Sequence, residues 1–185
     1  MGILICGLNG VGKSTIGSVL AERMSLPFID NEDLYFPKAD RSYAFSNPRS
    51  DAEAIQILEA LIDKDDRFIF AAVRGDYGEK LLSKLDCVIL VEAPKETRIK
   101  RVKQRSAQRF GDRILSGGDL AQKENEWFKR VESRPEDYVS TWLADAHLTC
   151  PIIRVDGTRP VEENVERLLS LLISQFQYND KEVLP

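Results

Sequence analysis

The sequence predicts an α/β fold, a parallel sheet with helices on both faces. Three observations carry that expectation. Short apolar runs recur at 3–6, 27–30, 67–73, 87–91 and 152–155. Segments with helical spacing separate them, and strands alternating with helices imply βαβ units. The run at 67–73 is apolar at nearly every position, as suits a strand covered on both faces.

Each element follows from its residues. The first strand ends in glycine, and 13–24 then places Ile16, Val19, Leu20 and Met24 at helical spacing. After the second strand, 31–50 is polar and interrupted by Pro37 and Pro48, so it reads mostly as loop. Ser50 and Glu53 form a capping box that opens a helix with apolar residues at 54, 55, 58, 61 and 62. A short helix at 78–85 leads to the fourth strand. Pro94 suits the first turn of a helix running to about residue 108. Gly111, Gly117 and Gly118 break the chain, and helices near 119–132 and 135–146 follow. After the fifth strand, Pro160 opens a last helix with Val161, Val165, Leu168, Leu169, Leu172 and Phe176 on one face. The tail 177–185 is polar and expected to fray. Residues 1–176 thus read as one domain.

Composition narrows the function. The chain has 185 residues, 43% hydrophobic and 30% charged, within the ordinary globular range. Its net charge of −4 disfavours a general nucleic-acid binder. The N-terminus lacks a basic leader and reads as a strand, and no apolar run approaches the ~18 residues of a membrane helix. Together these suggest a cytoplasmic protein, monomeric or homodimeric. Cys6, Cys87 and Cys150 lie in or beside apolar runs and read as buried thiols. His147 is the only histidine, so a zinc site is not expected.

Ligands of open α/β sheets bind beyond the C-terminal strand ends. There the first strand is followed by Gly7-Leu8-Asn9-Gly10-Val11-Gly12-Lys13-Ser14, a G-x-x-x-x-G-K-S loop. Its glycines turn backbone N–H groups inward, and the helix that follows adds its positive end. ATP is the expected nucleotide. Gly7, Asn9, Gly10, Val11, Gly12, Lys13, Ser14 and Thr15 would hold it, Lys13 reaching the outer phosphates and Ser14 the Mg²⁺. The Asn-Lys-x-Asp segment that reads guanine is absent.

The second strand runs into Asp30, Glu32 and Asp33, which would face the γ-phosphate. Asp30 would hold a metal-bound water, and Glu32 or Asp33 would deprotonate an attacking hydroxyl. The plainer alternative is a solvated acidic turn. The third strand ends at Arg74-Gly75-Asp76, so Arg74 and Asp76 are acceptor-side candidates, unless they merely pair with each other. Tyr35, Phe36, Tyr43 and Phe45 would stack on a base or ring, or else pack the loop onto the domain. Segment 95–113 carries a net +6 and the rest of the chain −10. Most of that run reads as a solvated face. Arg105, Arg109 and Arg113 approach or occupy the Gly-bounded break, where a hinged flap would neutralise transferring phosphate. Gly157, Thr158 and Arg159, after the fifth strand, would border the base.

The chain resembles the P-loop small-molecule kinases, the group of adenylate, shikimate, gluconate and nucleoside kinases. The likeness in layout spans 1–176. It implies a three-layer sandwich, sheet order 2-3-1-4-5, a helical lid after the fourth strand at about 105–134 and an acceptor-binding region after the second at about 31–63. The loop at 7–14 carries it most strongly. Phe28-Ile29-Asp30-x-Glu32 is similar to the acidic pair of shikimate kinases, Arg109 and Arg113 match lid arginines by position, and 155–160 resembles the base-side turn of nucleoside kinases. The Gly-Asp-Leu and Asp-Gly-Phe-Pro-Arg segments of adenylate kinases are missing. Arg74-Gly75-Asp76 stands where shikimate kinases have three glycines. The resemblance implies transfer of the γ-phosphate of ATP to a small acceptor, a nucleoside, nucleotide or hydroxylated metabolite. The rival is a P-loop ATPase serving as a regulatory or assembly module.

Overall fold

The computed structural model describes residues 1–36, 43 and 45–176. Strands β1 (Gly2–Cys6), β2 (Phe28–Asp30), β3 (Phe68–Ala71), β4 (Leu85–Glu92) and β5 (Ile152–Asp156) form one parallel sheet in the order β2-β3-β1-β4-β5. This is the expected order. Ile3 pairs with Ile69 on one side and Cys87 on the other, so β1 lies at the centre. Ile3, Leu4, Ile5, Ile69, Phe70, Val88 and Ile89 are all inaccessible, as their uninterrupted apolar runs require.

Helices cover the sheet. These are α1 (Lys13–Met24), α2 (Asn31–Tyr35), α3 (Asp51–Lys64), α4 (Glu79–Ser83), α5 (Lys95–Phe110), α6 (Ala121–Glu132), α7 (Tyr138–Asp145) and α8 (Val161–Phe176). Ile16 and Leu20 of α1 and Val165, Leu168 and Leu172 of α8 join the same core as the strands. The capping box of α3 forms: Glu53 N donates to Ser50 Oγ, and Ser50 N donates to Glu53 Oε2.

Some boundaries differ from the sequence reading. The stretch after β2 does not begin as loop. Asp30 accepts a hydrogen bond from Glu32 N and caps α2, with Glu32 and Asp33 in its acidic first turn. Strand β3 is shorter than 67–73 because Ala72 and Val73 turn toward the loop after β1. Val73 O accepts from Gly7 N at 3.2 Å. Helix α5 runs to Phe110, whose buried ring anchors its last turn, and a 3₁₀ turn (Gly111–Ile114) follows. Cys6 and Cys87 are buried free thiols, and Cys150 is partly buried. Among the described residues no helix is long and apolar enough to cross a membrane. The tail 177–185 lies outside the described residues.

Candidate functional site

The loop between β1 and α1 owes its shape to glycine. Gly7, Gly10 and Gly12 have φ of 145°, 85° and 108°. A Cβ at Gly10 would also lie 2.3 Å from Arg98 O, so no side chain fits there. Lys13 opens α1, and its Nζ donates to Leu8 O at 3.2 Å. Burial pushes its ammonium down to about 8, against a smaller upward pull from Asp30. Arg105 and Arg134 push in the same direction as burial. An ammonium held this way gains from a phosphate placed beside it.

Asn9, Gly10, Lys13, Ser14 and Asp30 line a cavity of about 370 Å³. Asn31, Glu32 and Arg105 line it too. Glu32 Oε1 receives Arg109 Nη1 at 2.7 Å, tying α2 to the end of α5. Arg109 also stacks on Phe45 at 5.1 Å. Part of the lining is aromatic: Phe36, Tyr43, Phe45 and Trp127 of α6. Phe45 packs edge-on against Phe36, Tyr43 and Phe110. Tyr43 O–H donates to Glu124 at 2.6 Å, which with burial raises the phenol pKa. The aromatics of this segment thus both line the cavity and tie it to α5 and α6.

The turn after β5, which the sequence reading set beside the base, lies against the phosphate loop. Gly157 N donates to Glu92 O at 2.7 Å, and a Cβ on Gly157 would lie 2.2 Å from Val11 O. Arg101 Nη1 donates to Gly157 O at 2.8 Å and so joins α5 to this turn. Asp156 accepts from Thr158 N and Oγ1, which fixes the turn and depresses the Asp156 carboxyl pKa. Arg159 points away to Glu163 at 2.6 Å.

Several predicted residues stand elsewhere. Asp33 is exposed on α2 and lines a separate cavity with Pro27, Phe28 and Leu61, because one residue along a helix rotates a side chain by about 100°. Arg113 makes a two-pronged contact with Asp119 in the lid turn and does not line the cavity of Lys13. Arg74 pairs with Asp76 at 2.5 Å and lies over the Tyr138 ring at 4.2 Å. Neither Arg74 nor Asp76 lines that cavity. Thr15 is exposed in the first turn of α1.

The structure also brings in residues the sequence reading passed over. Lys123, Glu126, Trp127 and Arg130 of α6 all line the cavity. Their spacing of three and four puts them on one helix face, a signal available in the sequence. Arg134 Nη1 donates to Asn9 Oδ1 at 2.5 Å and reaches the phosphate loop from beyond α6.

Comparison with known proteins fits this geometry. The chain is 29% identical over 180 residues to the uncharacterized protein YqaC of Bacillus subtilis, covering 93% of this chain and 97% of that one. It is 27% identical to a shikimate kinase of Salinibacter ruber, covering 96% and 87%. Its fold superposes on deoxyadenosine kinase from M. mycoides with a TM-score of 0.59 at 16% identity, covering 93% and 99%. The fold is that of the P-loop kinases. The AAA domain family model matches residues 3–115, so the chain belongs to that P-loop family.

Proposed function

We propose that this protein is an ATP-dependent phosphotransferase that moves the γ-phosphate of ATP to a hydroxyl of a small acceptor carrying a planar ring. The observation that carries the reading is one cavity with two unlike kinds of lining. Lys13, Ser14 and Asp30 line it, and so do Phe36, Tyr43, Phe45 and Trp127. Kinase relatives support the phosphotransfer, and the aromatic lining supports a nucleoside or nucleotide over an open-chain polyol.

The phosphate loop binds the triphosphate through its N–H groups, with Lys13 on the outer phosphates. Ser14 and Asp30 offer hard oxygen donors in the same cavity, and this set fits Mg²⁺, which is held by one or two protein oxygens beside phosphate. When bound, the ion neutralises charge on the phosphates. Glu32 takes the acceptor proton once Arg109 leaves it for the transferring phosphoryl group. Arg105 and Arg134 approach the same phosphates from α5 and from beyond α6. Gly157 and Thr158 border the base. Asp33 and Arg113 have no part in this scheme, since each faces elsewhere.

The test is ADP formation with a panel of nucleosides, nucleotides, polyols and hydroxy acids. At least one ring-bearing acceptor should raise the rate ten-fold or more over basal hydrolysis. Arg109→Ala should then lower kcat by on the order of 10²-fold with little change in ATP affinity. Slow hydrolysis indifferent to every acceptor would favour a regulatory ATPase.

A further inference from the structure

A second cavity, of about 620 Å³, lies behind the phosphate loop. It shares no lining residue with the cavity of Lys13. Gly157, Thr158 and Arg159 do not line it, but Glu92 and Asp156 do, so it abuts the turn after β5. Its walls are Gly7, Leu8 and Val11 of the loop itself, the C-terminal ends of β4 and β5, and side chains from α5, α7 and α8.

Arg98 of α5 lines this cavity and is only 1% exposed. Its Nη2 donates to Glu136 Oε1 at 2.7 Å. Its Nε and Nη1 are buried and have no hydrogen-bond partner among the described residues. Guanidinium groups are planar forks suited to two-pronged contact with an oxyanion, and buried donors left unpaired are rare in folded proteins. Glu136, its acceptor among the described residues, has a side chain 60% exposed, so it turns to water readily once another oxyanion takes its place on the buried guanidinium. Arg154 and Arg167 line the same cavity. Glu92 already shares the charge of Arg154 at 3.0 Å.

We propose that this cavity is a second ligand site, taking a small molecule with a carboxylate or phosphate group, whose oxygens replace Glu136 on Arg98. The apolar side chains of Leu8, Val11 and Val139 receive the body of the ligand. The site is coupled to the phosphate loop through the backbone, because Arg98 O lies against Gly10.

Calorimetry on the full chain at fixed ionic strength tests this. The background is Lys13→Ala, which suppresses anion binding in the phosphate loop, and the probes are inorganic phosphate and malonate. At least one probe should bind, and the better one identifies the oxyanion. Glu136→Gln removes a competing charge from an exposed position and should tighten binding about ten-fold, the worth of one charge-assisted hydrogen bond. Arg98→Met should abolish binding. Two results overturn the proposal: neither anion binds, or affinity is the same with and without Glu136→Gln. The second does not depend on Arg98→Met folding.

Discussion

Lys13 is the residue on which most of the chemistry turns. Its ammonium is held down to about 8 by burial. The folded protein therefore releases this proton more readily than the unfolded chain. Between about pH 8 and the ordinary lysine value the unfolded state binds more protons, so this group makes stability rise with pH in that window. Nucleotide binding runs the other way. Phosphates beside Lys13 favour its charged form, so ATP binding above pH 8 should take up a proton. Titration calorimetry in buffers of different ionisation enthalpy should show that uptake, and ATP affinity should fall from pH 8 to 10. In Lys13→Ala the uptake should vanish and affinity drop by 10²-fold or more, while the thermal midpoint stays level or rises. Wild-type ATP affinity in that variant would remove Lys13 from the phosphate site. At this scale the sequence was a good guide to the loop and a poorer one to its surroundings. A glycine pattern dictates local backbone. Whether Asp33 or Glu32 faces the cavity depends instead on the phase of a one-turn helix, which Asp30 sets by capping it.

Among the elements, α6 lines the cavity of Lys13, and the proposed function makes it part of the acceptor site. Its Lys123, Glu126, Trp127 and Arg130 face inward, while the buried Glu124 holds Tyr43. Trp127 is only partly buried, so replacing it removes ring contact without opening the core. Trp127→Leu should raise the acceptor KM about ten-fold, the order of one lost stacking contact, and leave the ATP KM unchanged. Trp127→Phe should restore most of the loss. Equal effects of Leu and Phe on both KM values would mean that Trp127 only packs the lid. The elements themselves were largely legible, because both apolar runs and the Ser50 capping box are local signals. The role of α6 was less so. Its strongest sequence feature is charge, and charge alone does not say which side of a helix meets a cavity formed by residues about 90 positions earlier in the chain.

Across the whole molecule, charge is unevenly distributed. Segment 95–113 carries +6 on a chain of net −4. The structure lays this segment along α5, where Arg101 touches the phosphate loop and Arg105 lines the Lys13 cavity. Lys95 and Lys100 are exposed on the same helix. They do not line either large cavity, so any contribution to nucleotide capture acts at a distance. A polyanion approaching a basic ridge is steered toward it, and at 0.1–0.15 M salt that attraction is largely screened beyond about 8–10 Å. The association rate of ATP should therefore fall several-fold between roughly 0.02 and 0.2 M salt. The dissociation rate should change little. The double variant Lys95→Gln/Lys100→Gln should slow association at low salt by about two- to five-fold and flatten its salt dependence. Stability and kcat should be unaffected, because neither side chain is buried or near the transferring phosphate. Stopped-flow with a fluorescent ATP analogue separates the two rates. If the variant shifts dissociation instead, these lysines contact the nucleotide directly, and the steering role of the α5 ridge is wrong.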